Sequence, residues 1–289
     1  MHRFIYHNDR VLPLEEVRLS PGQAGLINGW GIFSTVRVFD GIPFALERHY
    51  DRLARDAARI QLPLKAGLSD VRNAMLQMLE ANRIGNACVR IYFIFNTIGI
   101  WKSAEPFPQV DLIMYAMDVP ERVGPTSLSV QEHGRHAAHP LTGTKVTSWL
   151  NNAWMVEQAH RRGYDDALLL NERGEVSECT AANIYCIRGG DVATPPLSSG
   201  CLSGVSRAIL MEEGPRIGVP VTERVLKLED FYYADEVFIT STTRHVQPIS
   251  HIEKRAMKQA PWPVTQKLAK LFDEYVKEYL ARAAAAVVR

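Results

Sequence analysis

Strand-like and helix-like patterns alternate along the whole chain, and this alternation restricts the possible folds most strongly. Phe33 to Phe39 is rich in β-branched and aromatic residues, which is typical of a strand, and Asp40-Gly41 favours a hairpin turn after it. Residues 47–60 carry apolar side chains at helical spacing, which predicts a helix that ends before Pro63. Ser69 is expected to cap a second helix. Apolar strands are predicted at 88–95 and 110–117.

A stretch rich in proline and glycine separates these patterns from a second group. The segment from Val119 to Pro125 is typical of a linker. After it, the patterns predict strands at 127–132, 167–171, 175–177, 183–187 and 236–240, and helices at 148–162, near 204–216 and at 264–284. We therefore expect an α/β or α+β fold with a smaller N-terminal domain at 1–118, a linker at 119–127 and a larger C-terminal domain at 128–289. A site is expected in the cleft between two such domains.

Charge and composition favour a small-molecule partner. Lys and Arg total 33 against 32 Asp and Glu, and the net charge of +1 offers no field for nucleic acid or a membrane surface. No apolar run reaches the roughly 20 residues that a membrane helix needs. The first residues lack the apolar core of a signal peptide, and Cys88, Cys179, Cys186 and Cys201 form no CxxC pair. These features predict a cytoplasmic protein with reduced thiols.

Three histidines have a spacing that metal ligands also show. His133, His136 and His139 are close in sequence, but Pro140 prevents a continuous helix that would align them. A solvated loop is the preferred interpretation and no metal is expected, so a metal hydrolase is kept only as an alternative that metal analysis would test.

Lys145 and Glu178 are the first candidates for chemistry. Lys145 is the only lysine between Lys102 and Lys227, and it precedes a predicted helix. Desolvation at such a junction lowers the pKa of an amine and frees it for Schiff-base formation, although most isolated lysines are surface charges. Glu178 interrupts small and apolar neighbours, where it could pair with a protonated ring nitrogen or form a surface ion pair.

Two further segments are suited to a phosphate. Leu202 to Arg207 begins a predicted helix, whose free backbone N–H groups attract anions. Thr240 to Thr243 places successive hydroxyls and amides at the end of a strand. Arg52 on the first helix could add a charge-assisted contact. Each feature also has a structural interpretation as a cap, a polar turn or a helix-surface arginine.

Taken in this order, the segments resemble the fold type IV enzymes that use pyridoxal 5′-phosphate (PLP). This family contains branched-chain aminotransferases, D-amino acid aminotransferases and 4-amino-4-deoxychorismate lyases. The resemblance extends from Gly25–Gly41 through an HxxRL motif at His49–Leu53 to the block at Asp235–Ile249. It implies a two-domain fold, a homodimer, and an amino acid and a 2-oxo acid as substrates.

The resemblance also assigns roles to individual residues. Lys145 would hold PLP as an internal aldimine, Arg52 would hold its phosphate, and Glu178 would pair with its ring nitrogen. The other expected cofactor contacts are Ala182, Asn183, Leu202, Val205, Ser206, Ser241 and Thr242. The expected substrate contacts are Phe33, Arg37, Arg90 and Thr243.

The sequence gives mixed indications about the reaction. Phe33 with Ser34, and Leu150, resemble the lyases, whereas the Ser241 turn and the strand around Arg90 resemble the aminotransferases. We favour an L-specific aminotransferase for small hydrophobic or branched-chain amino acids, with an apolar pocket formed by Phe33, Ile98, Ile100 and Trp101. The lyase and, less favoured, a D-amino acid aminotransferase are the enzymatic alternatives. A binding protein of the same fold without turnover is the non-enzymatic alternative.

Overall fold

The computed structural model describes residues 1–19, 24–96, 109–121, 124–257 and 260–287. The chain divides into two units that are not consecutive segments. Unit 1 contains Met1–Pro120, Thr144–Trp149 and Tyr279–Arg289, and unit 2 contains Glu121–Gly143 and Leu150–Glu278. Each unit combines a sheet with helices, so the α+β class expected from the sequence is confirmed.

Unit 1 is built on a six-stranded sheet in which every neighbouring pair is antiparallel. Its strands are β1 (Phe4–His7), β2 (Arg10–Pro13), β3 (Gly31–Phe39), β4 (Ile42–Pro43), β5 (Ala87–Phe95) and β6 (Val110–Met117), and its helices are α1 (Ala24–Asn28), α2 (Leu46–Arg59) and α3 (Leu68–Asn82). The strand order is β2-β1-β6-β5-β3-β4. Strands β3 and β5 are therefore neighbours, and their side chains alternate between the two faces of the sheet.

The hairpin between β3 and β4 confirms the predicted turn. Phe39 pairs with Ile42, and the two residues between them have positive φ, +46° at Asp40 and +80° at Gly41. Two successive residues with positive φ are what a two-residue type I′ turn requires, and glycine adopts this conformation without strain. The turn leads the chain into β4, and α2 begins at Leu46 shortly after it.

Helix α2 follows the predicted apolar spacing, whereas the predicted cap of α3 is wrong. Leu46 and Leu53 of α2 are at most 1% exposed. Full burial of a leucine side chain stabilises a fold by about 1.5–3 kcal/mol. Helix α3 begins at Leu68, so Ser69 lies inside its first turn. Asp70 performs the capping instead, because its Oδ2 accepts a hydrogen bond of 2.7 Å from the Gly67 N–H.

Unit 2 is built on a nine-stranded mixed sheet. Its strands are β7 (Thr126–Gln131), β8 (Asp166–Leu170), β9 (Val176–Cys179), β10 (Asn183–Arg188), β11 (Asp191–Thr194), β12 (Val221–Glu223), β13 (Glu236–Ser241), β14 (His245–Ile252) and β15 (Arg255–Ala256). Its helices are α4 (Leu150–Arg161), α5 (Val205–Glu213), α6 (Leu228–Tyr232) and most of α7 (Pro263–Val287). The order is β12-β11-β10-β13-β14-β7-β8-β9, and β15 pairs with β14. The predicted strand at 175–177 is β9, which continues through Glu178.

The core of unit 2 holds β10 and β13 side by side. Ile184, Val237 and Ile239 are at most 1% exposed and belong to one apolar cluster. Asn183 at the start of β10 pairs with Thr240 near the end of β13, so these two strand ends share one edge of the sheet. In the described part of the chain, no helix combines the length and apolar character needed to cross a membrane.

Candidate active site

The main chain of Lys145 is held on both sides within unit 1. Its carbonyl oxygen accepts a hydrogen bond of 3.0 Å from the Phe33 N–H of β3, and its own N–H donates to Oδ2 of Asp56 on α2 at 3.0 Å. The next residue, Val146, forms an antiparallel bridge with Ile32. The segment that carries Lys145 therefore extends the edge of β3, and both main-chain polar groups of the lysine are satisfied.

The side chain of Lys145 lies over an aromatic ring. Its Nζ is 4.6 Å from the ring centroid of Phe33, and Phe33 stacks on Tyr92 of β5 with ring centroids 5.5 Å apart. Tyr92 stacks in turn on Tyr115 of β6, and their hydroxyl oxygens are 3.2 Å apart. Arg90 donates from Nη1 to the Tyr92 hydroxyl at 3.0 Å. The structure thus brings Lys145, Phe33 and Arg90 together, with two tyrosines that the sequence did not suggest.

Arg37 lies further along β3, two residues beyond Thr35, which pairs with Arg90. It is on the same side of β3 as Phe33, ~13 Å along the strand from it, and it is a diagonal neighbour of Arg90. Its Nη1 donates to the carbonyl oxygen of Ala87 at 3.1 Å and to that of Val38, and its guanidinium lies over the Phe39 ring at 4.2 Å. These contacts tie the end of β3 to β5.

Arg52 is part of a buried polar network on α2. Its Nη2 donates to Ser34 Oγ at 2.8 Å, and Ser34 Oγ is 2.9 Å from Nδ1 of His49. All three residues are at most 7% exposed. Because Ser34 Oγ already accepts from Arg52, its own proton is best directed to His49, which requires Nδ1 to be an acceptor and the imidazole to be neutral.

The pKa shifts in this network agree with that proton arrangement. Burial lowers the pKa of His49 well below its ordinary value of 6.5, and the positive charges of Arg52 and Lys145 lower it further. Burial also lowers the pKa of Arg52 to about 10, although the nearby Asp56 carboxylate acts in the opposite direction. Arg52 therefore keeps its positive charge at neutral pH, beside a neutral histidine.

In unit 2, Glu178 is a buried carboxylate with both oxygens engaged. The Nε of Arg135 donates to Oε1 at 3.0 Å, and the Nη2 of Arg135 is also 3.0 Å from Oε1. The Leu202 N–H donates to Oε2 at 3.0 Å. Arg135 also donates to Oδ1 of Asn152 at 3.0 Å. Glu178 is only 7% exposed, and a charge buried to this extent is tolerated because it is paired and hydrogen-bonded.

The segment that begins α5 approaches Glu178 and Asn183. Asn183 donates from Nδ2 to the Leu202 carbonyl oxygen at 2.8 Å. The first helical hydrogen bond runs from Ala208 to Gly204 at 3.0 Å, so the N–H groups of Val205 and Ser206 precede the helical ladder. An added Cβ on Gly204 would clash with Oδ1 of Asn183, so a side chain at this position requires Asn183 to move.

The turn between β13 and β14 is anchored by its arginine. Arg244 donates from its main chain to Ser241 Oγ at 3.1 Å and from Nη1 to Oδ2 of Asp166 at 2.8 Å. Asp166 is fully buried. Thr242 and Thr243 lie half-buried in this turn.

The predicted cofactor contacts of unit 2 form one continuous set. Glu178 contacts Leu202, Leu202 contacts Asn183, and Asn183 pairs with the β13 residue that precedes Ser241. Ala182 is buried, and its carbonyl oxygen accepts a bond of 2.8 Å from Cys179, which closes the tight turn between β9 and β10.

Some predictions fall elsewhere. Ile98, Ile100 and Trp101, proposed as pocket residues, lie outside the described residues. Among the histidines considered as metal ligands, His136 is exposed and its Nδ1 is 3.4 Å from Oε1 of Glu172. Sequence reasoning missed the polar partners Asp56, Arg135, Asn152 and Arg244, of which Asp56 is buried and the others are partly buried. Two polar residues of the site had a sequence signal: His49 begins the HxxRL motif, and Ser34 follows Phe33 in the segment that carries the family resemblance.

Comparisons with known proteins agree on one family. The family model for amino-transferase class IV matches residues 31–252. A Methanocaldococcus jannaschii protein, provisionally named a branched-chain-amino-acid aminotransferase, is 27% identical over 276 residues, which cover 93% of this chain and 95% of that protein. The Bacillus subtilis aminodeoxychorismate lyase is 25% identical over 284 residues, with 96% of each chain covered. The crystal structure of a branched-chain aminotransferase from Thermoproteus uzoniensis with norvaline matches at a TM-score of 0.86 and 26% identity, covering 97% of this chain and 98% of that one.

Proposed function

Because this chain belongs to the class IV aminotransferase family, we propose that it moves an amino group between a small hydrophobic or branched-chain L-amino acid and a 2-oxo acid. The observation that carries the proposal is the placement of Lys145, whose main chain is held between Phe33 and Asp56 and whose Nζ lies over the Phe33 ring. An amine fixed in this way can form a covalent link to a carbonyl cofactor and move a proton.

The residues present fit PLP as the cofactor. A phosphate needs cations and N–H donors, and the buried Arg52 and the N–H groups of Val205 and Ser206 are groups of these kinds. The glycine at 204 keeps the start of α5 free of a side chain that would displace Asn183. We propose that these groups, together with Ser241 and Thr242, hold the phosphate.

The mechanism follows from what each side chain can do. When bound, PLP supplies a cationic ring that accepts the electrons left on Cα when its proton is removed. Lys145 would hold the cofactor through Nζ, and its amine, when not linked to the cofactor, would carry the proton of the substrate Cα. Glu178 would accept a hydrogen bond from the ring N–H, since a carboxylate has about four acceptor positions and its present partners use fewer. Leu202 would support the ring, and Ala182 and Asn183 would keep the Glu178 turn in place.

The substrate would meet the aromatic face beside Lys145. Phe33 offers an apolar surface for the substrate side chain, and Arg90 offers a cation that can bind the substrate carboxylate. We propose that the N–H groups around Thr243 also donate hydrogen bonds to this carboxylate. The Thermoproteus uzoniensis relative was crystallised with norvaline, an amino acid of this size and character, which supports a small apolar side chain for the substrate.

A half-reaction tests this proposal. PLP-loaded protein is mixed with L-leucine in the absence of any 2-oxo acid, and the visible absorbance band and the products are followed. We expect loss of the band with one equivalent each of pyridoxamine phosphate and the corresponding 2-oxo acid, and no reaction with D-leucine. Lys145→Ala should give no turnover but bind PLP weakly. A protein that binds PLP and leaves L-leucine unchanged would contradict the proposal.

An elimination is the second candidate. The Bacillus subtilis relative is an aminodeoxychorismate lyase, and Ser34 and Leu150 resemble that group. The same protein is therefore incubated with 4-amino-4-deoxychorismate. Elimination from this compound without net formation of pyridoxamine phosphate, together with no reaction of L-leucine, would favour the lyase.

We further propose a cytoplasmic homodimer. On α4, Leu150 is 78% exposed and Trp154, one helical turn later, is 55% exposed, and a second copy would remove this apolar pair from water. Sedimentation velocity is expected to give twice the chain mass of 32.5 kDa, and a monomer at micromolar concentration would contradict the proposal.

A further inference from the structure

Helix α2 presents a buried polar stripe on one of its faces. His49, Arg52 and Asp56 are spaced three and four residues apart, which places them on one side of the helix. All three are at most 7% exposed. The first two contact Ser34 on β3, whereas Asp56 contacts the segment that contains Lys145.

Asp56 uses its two carboxylate oxygens for different partners. Oδ1 accepts from Arg55, at 3.3 Å from Nε and 3.1 Å from Nη2. Oδ2 accepts from the Lys145 N–H at 3.0 Å, across 89 residues of sequence. Since the side chain of Asp56 is only 1% exposed, water competes little for this bond.

From these contacts we propose that Asp56 is a positioning residue for Lys145, an inference that rests on the proposed function. Phe33 binds the carbonyl group of Lys145 and Asp56 binds its N–H group, so the main chain of Lys145 is fixed in position. The position of Nζ relative to its reaction partners depends on this main-chain position. Loss of the acceptor leaves the N–H side of the segment without this anchor. Misplacement of a reacting group by about 1 Å can cost roughly 100-fold in rate.

Two substitutions separate the hydrogen bond from the charge. Asp56→Asn keeps an oxygen that can accept from the Lys145 N–H but removes the negative charge, whereas Asp56→Ala removes both. Asp51→Ala, at an exposed position of the same helix, is the matched control. Each protein is examined by hydrogen exchange of residues 144–149, by the rate at which PLP added to the PLP-free protein is trapped on Lys145 by borohydride, and by kcat and KM with L-leucine.

The expected result is specific to the acceptor. Asp56→Ala should exchange residues 144–149 faster, attach PLP at least tenfold more slowly and lower kcat more than it raises KM. Asp56→Asn and Asp51→Ala should stay within about threefold of the wild type. Equal losses in both Asp56 variants, or no loss in either, would overturn the inference. If Asp56→Ala does not fold, a tenfold loss of attachment rate in the folded Asp56→Asn variant would overturn it as well.

The same measurements separate this inference from the proposed function. Wild-type protein that transfers no amino group from L-leucine to PLP contradicts the function, whatever Asp56 does. Wild-type protein that is active, with an Asp56→Ala variant that attaches PLP and reacts normally, contradicts only the role of Asp56.

Discussion

The buried imidazole of His49 should make folding sensitive to mild acid. In the folded protein, burial and the charges of Arg52 and Lys145 lower its pKa well below 6.5, so it stays neutral. In the unfolded chain the same side chain takes up a proton below pH ~6.5. The unfolded state then binds more protons than the folded state, and stability is lost as the pH falls through this value.

The size of the effect follows from one proton. Between about pH 7.5 and 5.5, an imidazole of ordinary pKa goes from almost fully neutral to about nine-tenths protonated. If His49 stays neutral in the folded state throughout, the unfolding free energy falls by about 1.4 kcal/mol over this interval from this residue alone. That loss is a noticeable part of the roughly 5–15 kcal/mol that is typical of folded proteins.

The assay compares wild type with His49→Asn by urea unfolding at both pH values. Asparagine keeps an oxygen near the position of Nδ1, where it can accept from Ser34, but it does not titrate. The protein is freed of PLP beforehand, because the proposed binding of its phosphate to Arg52 would add negative charge close to His49. We expect the wild type to lose about 1.4 kcal/mol more than the variant on acidification.

Two results would refute this reasoning. One is an equal pH dependence of unfolding in the two proteins. The other is an NMR resonance of the imidazole, identified by its absence in His49→Asn, that titrates near pH ~6.5 in the folded protein.

Three further predictions concern other parts of the candidate site. Arg135→Gln should destabilise the protein by about 3–5 kcal/mol, because it removes the cation that pairs with the buried Glu178 carboxylate. Thermal unfolding should show that adding Glu178→Gln restores much of this loss, and an unchanged melting temperature of Arg135→Gln would contradict the prediction. Gly204→Ala should weaken PLP binding at least tenfold by fluorescence titration, because its Cβ would clash with Oδ1 of Asn183 and displace it, and unchanged affinity would count against the proposed phosphate role of this segment. Burial raises the pKa of Tyr115 to about 12, so this residue should contribute nothing to the tyrosinate absorbance gained up to pH ~10.5. The absorbance of Tyr115→Phe should therefore rise with pH as that of the wild type does over this range.

The sequence was most informative where local rules determine the structure. Its β-branched and aromatic residues identified β3, the Asp40-Gly41 pair identified its turn, and helical spacing identified α2. The cap of α3 was wrong because serine and aspartate are both good capping residues and adjacent in sequence, and only the geometry shows that Asp70 reaches the Gly67 N–H.

Long-range polar contacts could not be predicted from one sequence. Asp56 and Arg135 are charged residues whose most frequent location is the surface, and no spacing rule reveals that Asp56 is buried or that Arg135 pairs with Glu178. The pairing of Val146 with Ile32 spans more than a hundred residues and involves a single bridge, which is too short for any periodicity to mark it. The roles assigned to Lys145, Arg52 and Glu178 came from the family resemblance and await the experiments above.

The segment of residues 144–149 has a consequence for how the protein is made. Phe33 and Gly31 on β3 form hydrogen bonds with Lys145 and Thr147, so part of the first sheet has no partner until the ribosome has added residues far beyond that sheet. Synthesis proceeds at about 5–20 residues per second, so a nascent chain that ends near residue 120 waits several seconds with this edge of β3 exposed. During that interval the unpaired edge is open to strands of other chains, which makes translation speed across this region a determinant of yield.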